Sequence, residues 1–330
     1  MKKEKRPILC LSITIIMACA FIFSVFCTHA GAQITNVGTS TANFLKIGLG
    51  GRSAGMGGAV VASGEGVESL FCNPAGLSLA KMVELGASFN NWFEGISNTY
   101  LAFGYPFKNG KTVLGLTAAY WNMGEIEVTS TSSTVERYAT VTEGFGGVSI
   151  SHALMPGLLA GISVKYIFQD LVACSVNGVS ADVGLVILLG DMVRIGVAGQ
   201  NLGTVQAVGG TQDALPTVVK AGGSLTLWKT ATIEVDAVIP RDNDVKLQAG
   251  LEYLIKSSEY NSAIALRAGY NQAEATSATA APSDLSGISV GIGIRGCVGE
   301  GSSENMLIDY AYVPFGGFGV THRFSMVMRF

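Results

Sequence analysis

The stretch LLAGISVKYIFQ at residues 158–169 sets Leu158, Ala160, Ile162, Val164, Tyr166 and Phe168 against Leu159, Gly161, Ser163, Lys165, Ile167 and Gln169. Successive side chains of a strand point to opposite faces, so one face here is apolar and the other mostly small or polar. The same period of two recurs further on. Ile233, Val235, Ala237 and Ile239 oppose Thr232, Glu234, Asp236 and Val238, and Val245 to Ile255 alternates with Lys246, Gln248, Gly250 and Glu252. Ile264, Leu266, Ala268 and Tyr270 oppose Ala265, Arg267 and Gly269, and Ile288 to Ile294 alternates with serine and glycine. The pattern reaches the last residue, with Phe324, Met326, Met328 and Phe330 against Arg323, Ser325, Val327 and Arg329. Each run reads as a strand.

The segments number about fourteen, the signature of a transmembrane β-barrel whose tilted strands need roughly 9 to 11 residues to cross. They fall at 83–92, 97–107, 111–123, 143–153, 157–169, 179–189, 191–201, 216–227, 229–239, 244–255, 261–271, 285–295, 304–313 and 318–330. A soluble β-sandwich shows the same alternation, but its strands average about five or six residues. Aromatic residues at the segment ends fit interfacial girdles: Trp92, Phe93, Tyr105, Phe107, Tyr120, Trp121, Tyr166, Phe168, Tyr270, Tyr310 and Tyr312. An even strand number puts both barrel ends on the periplasmic side. The long connections near 124–142, 202–215 and 272–284, rich in Ser, Thr and Ala, are then expected as extracellular loops.

Composition agrees with a membrane location. Of 330 residues 43 are glycine, 14% are charged and 48% hydrophobic, against roughly 7% glycine and 25% charge in soluble domains. Disorder and collagen are excluded, and 21 Lys+Arg against 24 Asp+Glu give no basic excess for nucleic acid. Residues 1–32 read as a secretory signal peptide: Lys2, Lys3, Lys5 and Arg6, an apolar run over 8–27, and Ala30, Gly31 and Ala32 at the expected cut. A retained anchor is the alternative, since the run could span a bilayer. Removal of this leader leaves Cys72, Cys174 and Cys297, spaced like neither a disulfide framework nor a metal site. Residues 33–82 do not alternate and are expected as a plug in the lumen of the barrel formed by 83–330.

No catalytic constellation is evident. Gly287, Ser289 and Gly291 fit a nucleophile elbow only if they join a strand to a helix, and they lie within an alternating strand. GLGGRSAGMGG lacks the Lys-Ser/Thr ending of a phosphate loop. His152 and His322 are too few for a metal cluster, so neither metal nor cofactor is expected. The charges Lys165, Arg194, Glu234, Asp236, Lys246, Glu252, Arg267, Arg295, Asp309 and Arg323 are expected on the lumen side. Both signs occur, which favours pairing across the lumen over an anion-conducting constriction.

GGRSAGMGGAVVASGEGVESLFCNPAGLSLA at 50–80, EIEVTS from Glu125, NLG at Asn201, LRAGY at Leu266, DYAY at Asp309 and the ending GVTHRFSMVMRF resemble, in that order, the PorV/PorQ family of bacterial outer-membrane proteins. That family is related to the FadL-type transporters of hydrophobic compounds, whose plug carries a similar glycine-rich stretch ending in Asn-Pro-Ala-Gly, matched by Asn73, Pro74, Ala75 and Gly76. The resemblance implies an all-β, fourteen-stranded antiparallel barrel in the outer membrane, embedded in its lipid and inserted by the barrel-assembly machinery. Phe324, Met326, Met328 and Phe330 would be its C-terminal assembly signal. It also implies binding of protein partners, components or cargo of type IX-like secretion or surface attachment. The rival expectation is a FadL-like channel admitting a hydrophobic ligand through the lumen or a lateral opening. The Asn-Pro-Ala-Gly stretch is expected as a sharp turn, with Asn73 held extended by the following proline and Gly76 supplying a positive φ.

Overall fold

The computed structural model describes residues 38–92, 95–129, 135–171, 175–206, 212–257, 262–272, 287–296, 305–316 and 319–330. The leader at 1–32, Phe93, Cys174, Cys297 and residues 273–284 of the third expected loop lie outside them. The strands in chain order are β1 (Glu84–Asn91), β2 (Ser97–Pro106), β3 (Thr112–Thr129), β4 (Val135–Met155) and β5 (Leu158–Asp170). Next come β6 (Ser175–Leu189), β7 (Val193–Gln206), β8 (Gln212–Ala214), β9 (Val218–Leu227) and β10 (Ala231–Pro240). β11 (Lys246–Ser257), β12 (Ser262–Asn271), β13 (Ile288–Gly296), β14 (Met306–Pro314) and β15 (Val320–Arg329) complete the series.

β8 is a three-residue branch paired only with β7. The other strands, fourteen of them, form one antiparallel ladder that closes where β1 meets β15, from Glu84 opposite Arg329 to Asn91 opposite His322. Closure satisfies every strand edge, which a bilayer requires. Both barrel termini sit at one end, called lower here; the upper end carries the connections after β1, β3, β5 and β7.

Alternation sorts the side chains as the sequence predicts. On β13, Ile288, Val290, Ile292 and Ile294 are 45–53% exposed on the outer wall while Ser289, between them, is 1% exposed. Phe324, Met326 and Phe330 lie on the same outer face, and Arg323 and Ser325 point in.

Two features differ from the sequence reading. Most of the stretch expected as a loop at 124–142 continues β3 and β4, which pair beyond Asn122 across a register shift. Likewise β7 runs on to Gln206 and pairs with β8 inside the stretch expected as a second loop. Trp121, expected in an interfacial girdle, points inward, is 1% exposed and lies 4.8 Å from Phe44 ring to ring. Parity already separates it from its neighbour Tyr120, which is 46% exposed on the outer wall.

The inward glycines explain the composition. The wall at Gly250 faces Met56, whose carbonyl would lie 2.6 Å from an added methyl, and Gly291 faces Gly55 at 3.1 Å. Gly161 abuts Pro74 and Ala75, Gly196 abuts Val61 and Ala62, and Gly269 meets the backbone of Met56 and Gly57. Backbone therefore packs on backbone, leaving no room for a side chain. Gly269→Val is expected to abolish the folded, heat-modifiable band on electrophoresis, whereas Gly223→Val, on the outer wall with only Arg194 O near at 3.8 Å, keeps it.

Candidate functional site

The lumen is occupied by residues 38–83, here the inner segment. Its first part is held at the upper end: Thr41 N–H donates to Ala214 O at 3.1 Å, Lys46 Nζ pairs with Asp242 at 2.5 Å, and Ser40 Oγ donates to the same carboxylate. Burial opposes ionisation of Asp242, but the hydrogen bonds from Lys46 and Ser40 outweigh it and hold the group below the usual carboxylate range. A 3₁₀ turn (Asn43–Lys46) leads into the one-turn helix α1 (Gly51–Gly55), then into 3₁₀ turns at Gly66–Ser69 and Pro74–Leu79. The chain leaves at Glu84, which accepts from Val67 N–H at 2.8 Å and from Arg329 Nε at 2.9 Å.

Lacking long helices, the segment has many backbone N–H groups with no local partner, and the wall supplies acceptors. Glu234 on β10 accepts from Ala62 N–H at 2.6 Å and Ser63 N–H at 3.1 Å, and Asp236 accepts from Val61 N–H at 3.1 Å. Spacing of two residues puts both carboxylates on one face of the strand.

Asn73 is extended (φ −154°, ψ 105°) and caps the turn that follows, its Oδ1 accepting from Ala75 N–H at 3.1 Å. Its Nδ2 donates to Val61 O at 2.9 Å, Leu185 O at 3.1 Å and Val197 O at 3.4 Å, tying the segment to β6 and β7. Gly76 does not adopt a positive φ, a correction to the turn expected from the sequence. Glycine is required there because a methyl would meet Ser69 Cβ at 2.7 Å and press on Gly64 O.

One side of the lumen is ionic. Glu252 on β11 binds Arg52 of α1 at 3.1 Å, Arg267 of β12 at 2.6 Å and Arg295 of β13 at 3.4 Å, and Arg267 also binds Asp309 of β14 at 2.7 Å. Lys165 pairs with Asp182 at 2.8 Å, Arg194 pairs with Glu65 at 2.6 Å, and Arg323 Nη1 donates to Gly48 O at 3.3 Å. The basic residues clustered around Glu252 thus meet carboxylates, and through Arg52 the cluster ties the inner segment to the wall. Asp182 and Glu65, absent from the charges singled out in the sequence, complete these pairs; Asp182 sits at a register shift between β6 and β7 that the alternation does not reveal.

The side facing β2 to β5 is largely apolar, although Lys165 stands there with its Nζ 5.4 Å from the centre of the Phe145 ring. Phe44, Leu49 and Leu70 of the inner segment pack with Tyr100, Trp121, Phe145 and Ile167 of β2 to β5. Above them a cavity of about 800 Å³ opens at the upper end, lined by Phe44, Ile47, Trp92, Ile96, Met123 and Phe315 among polar rim residues. Ile47 also lines a gap of about 30 Å³ between Leu70, Phe71, Trp121 and Phe145. A second chamber, of about 220 Å³, lies towards β9 to β11. Cys72 is buried, and burial pushes its thiol up to about 12, which leaves it unreactive. Among the described residues no group of three His, Cys, Asp or Glu is placed to hold a metal ion.

Removing the carboxylate at the hub leaves buried guanidinium groups uncompensated. Glu252→Gln is expected to lower stability by about 3–5 kcal/mol, read as a shift of the urea unfolding midpoint of the refolded barrel. Asn73→Ala costs about 1–3 kcal/mol, and Asn73→Asp costs more, because a carboxylate then faces the Val61, Leu185 and Val197 carbonyls; the same unfolding measurement ranks the two.

No protein-family model matches the chain, and no curated protein is significantly similar to it in sequence. Solved structures are similar in fold. The CymD monoaromatic hydrocarbon channel matches with a TM-score of 0.57 at 14% identity, over 86% of this chain and 98% of its own. The P. putida toluene transporter TodX matches at 0.55 and 13%, over 86% and 99%. A Pseudomonas aeruginosa FadL homologue matches at 0.55 and 12%, over 84% and 97%. The chain therefore has the closed fourteen-stranded fold of the FadL/TodX-type outer-membrane barrels.

Proposed function

We propose that the protein is an outer-membrane channel that admits a hydrophobic small molecule, with the lower end facing the periplasm and residues 38–83 as its plug. The observation that carries this reading is the cavity of about 800 Å³ at the upper end, whose floor is formed by Phe44 and Ile47 of the plug. Its size falls in the range of small-molecule sites, roughly 300–1,000 Å³. Below it Trp121 and Phe145 continue the apolar packing, beside a gap that Ser149, Ser163 and Lys165 also line. On the side of β11 to β14 the lumen is filled by the buried ion pairs around Glu252 and Asp309. The gap of about 30 Å³ beneath Ile47 is too small for a ring compound, so passage requires the turn at Asn43–Lys46 to move. The fold shared with channels for monoaromatic hydrocarbons and toluene supports the substrate class.

A second reading, a PorV/PorQ-type barrel that binds components or cargo of a type IX-like secretion system, is favoured by one observation. Residues 123–129 of β3 and 135–141 of β4 extend above the neighbouring strands, since β2 ends opposite Asn122 and β5 ends opposite Thr142. That overhang of seven residues is roughly 23 Å of hairpin, a surface suited to a protein partner.

Uptake of radiolabelled toluene by cells producing the protein separates the two. The channel reading expects faster uptake than in cells without the protein, and loss of that gain in Ile47→Asp, which puts a charge between the upper cavity and the gap beneath it, at unchanged folded yield. Equal uptake with and without the protein, together with a specific protein photo-crosslinked from position 127, would establish the second reading instead.

A further inference from the structure

The chamber of about 220 Å³ between the inner segment and β9 to β11 differs in character from the apolar side. Lys46, Lys220, Lys246 and Arg323 line it, against one carboxylate, Asp242. That carboxylate is already engaged by Lys46 and Ser40. Lys220 stands on the inner face of β9 opposite Val238 of β10. It makes no hydrogen bond or ion pair with any described residue, although Lys165, Arg194, Arg267 and Arg295 on the same lumen wall each meet a carboxylate.

The nearest acid along the wall, Asp236, lies opposite Gly222, two residues from Lys220; its Oδ2 accepts from Val61 N–H while its Oδ1 has no hydrogen-bond partner, and Asp236 and Asp182 act on Lys220 only through space. Gln248, whose Oε1 accepts no hydrogen bond, completes the same wall on β11. An ammonium enclosed in protein is stabilised by a counter-charge in contact with it, and no described carboxylate pairs with Lys220 while an open volume adjoins it. The chamber shares Lys46, Ile47, Gly48, Asn271 and Arg323 with the cavity at the upper end, so a solute entering from above reaches it.

We propose that this chamber binds a small oxyanion of the size and charge of phosphate, held by Lys220 together with Lys246 and Arg323. The anion bridges the inner segment to β9 to β11 and places a negative charge in direct contact with Lys220. This site adjoins the apolar route at Leu45, Ile47 and Phe71 but does not depend on what that route carries.

The test is calorimetric titration of the full-length protein, folded in a maltoside detergent at constant ionic strength, with inorganic phosphate and, separately, sulfate. Wild type is expected to bind with one site per barrel, and Lys220→Met to bind about tenfold or more weakly, the loss of a charge-assisted hydrogen bond. Lys220→Arg retains binding, and Lys108→Met, in the exposed turn after β2, leaves it unchanged. Gln248→Glu gives a second route to the same answer by building a counter-charge into the chamber, and is expected to abolish phosphate binding while the barrel stays heat-modifiable. Absence of binding to wild type, or undiminished binding to both Lys220→Met and Gln248→Glu, would overturn the proposal.

Discussion

Everything in this barrel depends on the contact of one backbone with another. Between the wall side chains that contact it, the inner segment lies directly on positions where glycine exposes the strand backbone, at Gly161, Gly196, Gly250, Gly269 and Gly291. Such proximity removes water from peptide groups on both sides, and buried peptide groups must then find partners. Carboxylates projecting between the glycines supply them. Glu234, Asp236 and Glu84 accept the N–H groups of Ala62, Ser63, Val61 and Val67, while Asn73 returns donors to carbonyls of the segment and of β6 and β7. Small residues set the distance, and polar residues set the register.

The division of the lumen into two sides follows from which wall each part of the segment meets. Phe44, Leu49 and Leu70 turn towards β2 to β5, where Trp121 and Phe145 pack on them. Arg52 turns the other way, to Glu252 and the guanidinium groups of Arg267 and Arg295. Buried ion pairs hold geometry at little net gain in stability, whereas apolar contacts tolerate displacement because they are non-directional. The ionic side thus works as a fixed anchor, and the apolar side is the one along which something can slip.

Much of the fold was legible because lipid imposes a rule that residue types obey. Every second residue of a membrane strand must be apolar, so the fourteen strands, the outward Phe324, Met326 and Phe330, and the inward Lys165, Glu234, Glu252 and Arg267 could be read from parity alone. Parity ends where the bilayer ends. Residues 123–129 and 135–141 pair above the neighbouring strands, and their polar sequence looked like a loop. Trp121 looked like a girdle residue from its residue type, although parity against the outward Leu116 and Tyr120 places it on the inner face, where Phe44 meets it. Gly76 was recognised as obligatory for the wrong reason: the constraint is Ser69 and Gly64 packed against it, a tertiary contact with no local signature. Asp182 and Glu65 were missed as partners for the same reason, since pairing across a lumen is set by closure of the sheet.

Closure itself ties the wall to its contents. The ladder is sealed by β1 meeting β15, and the inner segment that precedes β1 touches strands on both sides of that seam. Glu84, the first residue of β1, accepts from Val67 of the segment and from Arg329 of β15. One carboxylate therefore serves seam and segment together, so a barrel whose inner segment is unseated also loses a contact across the pair of strands that closes the ring.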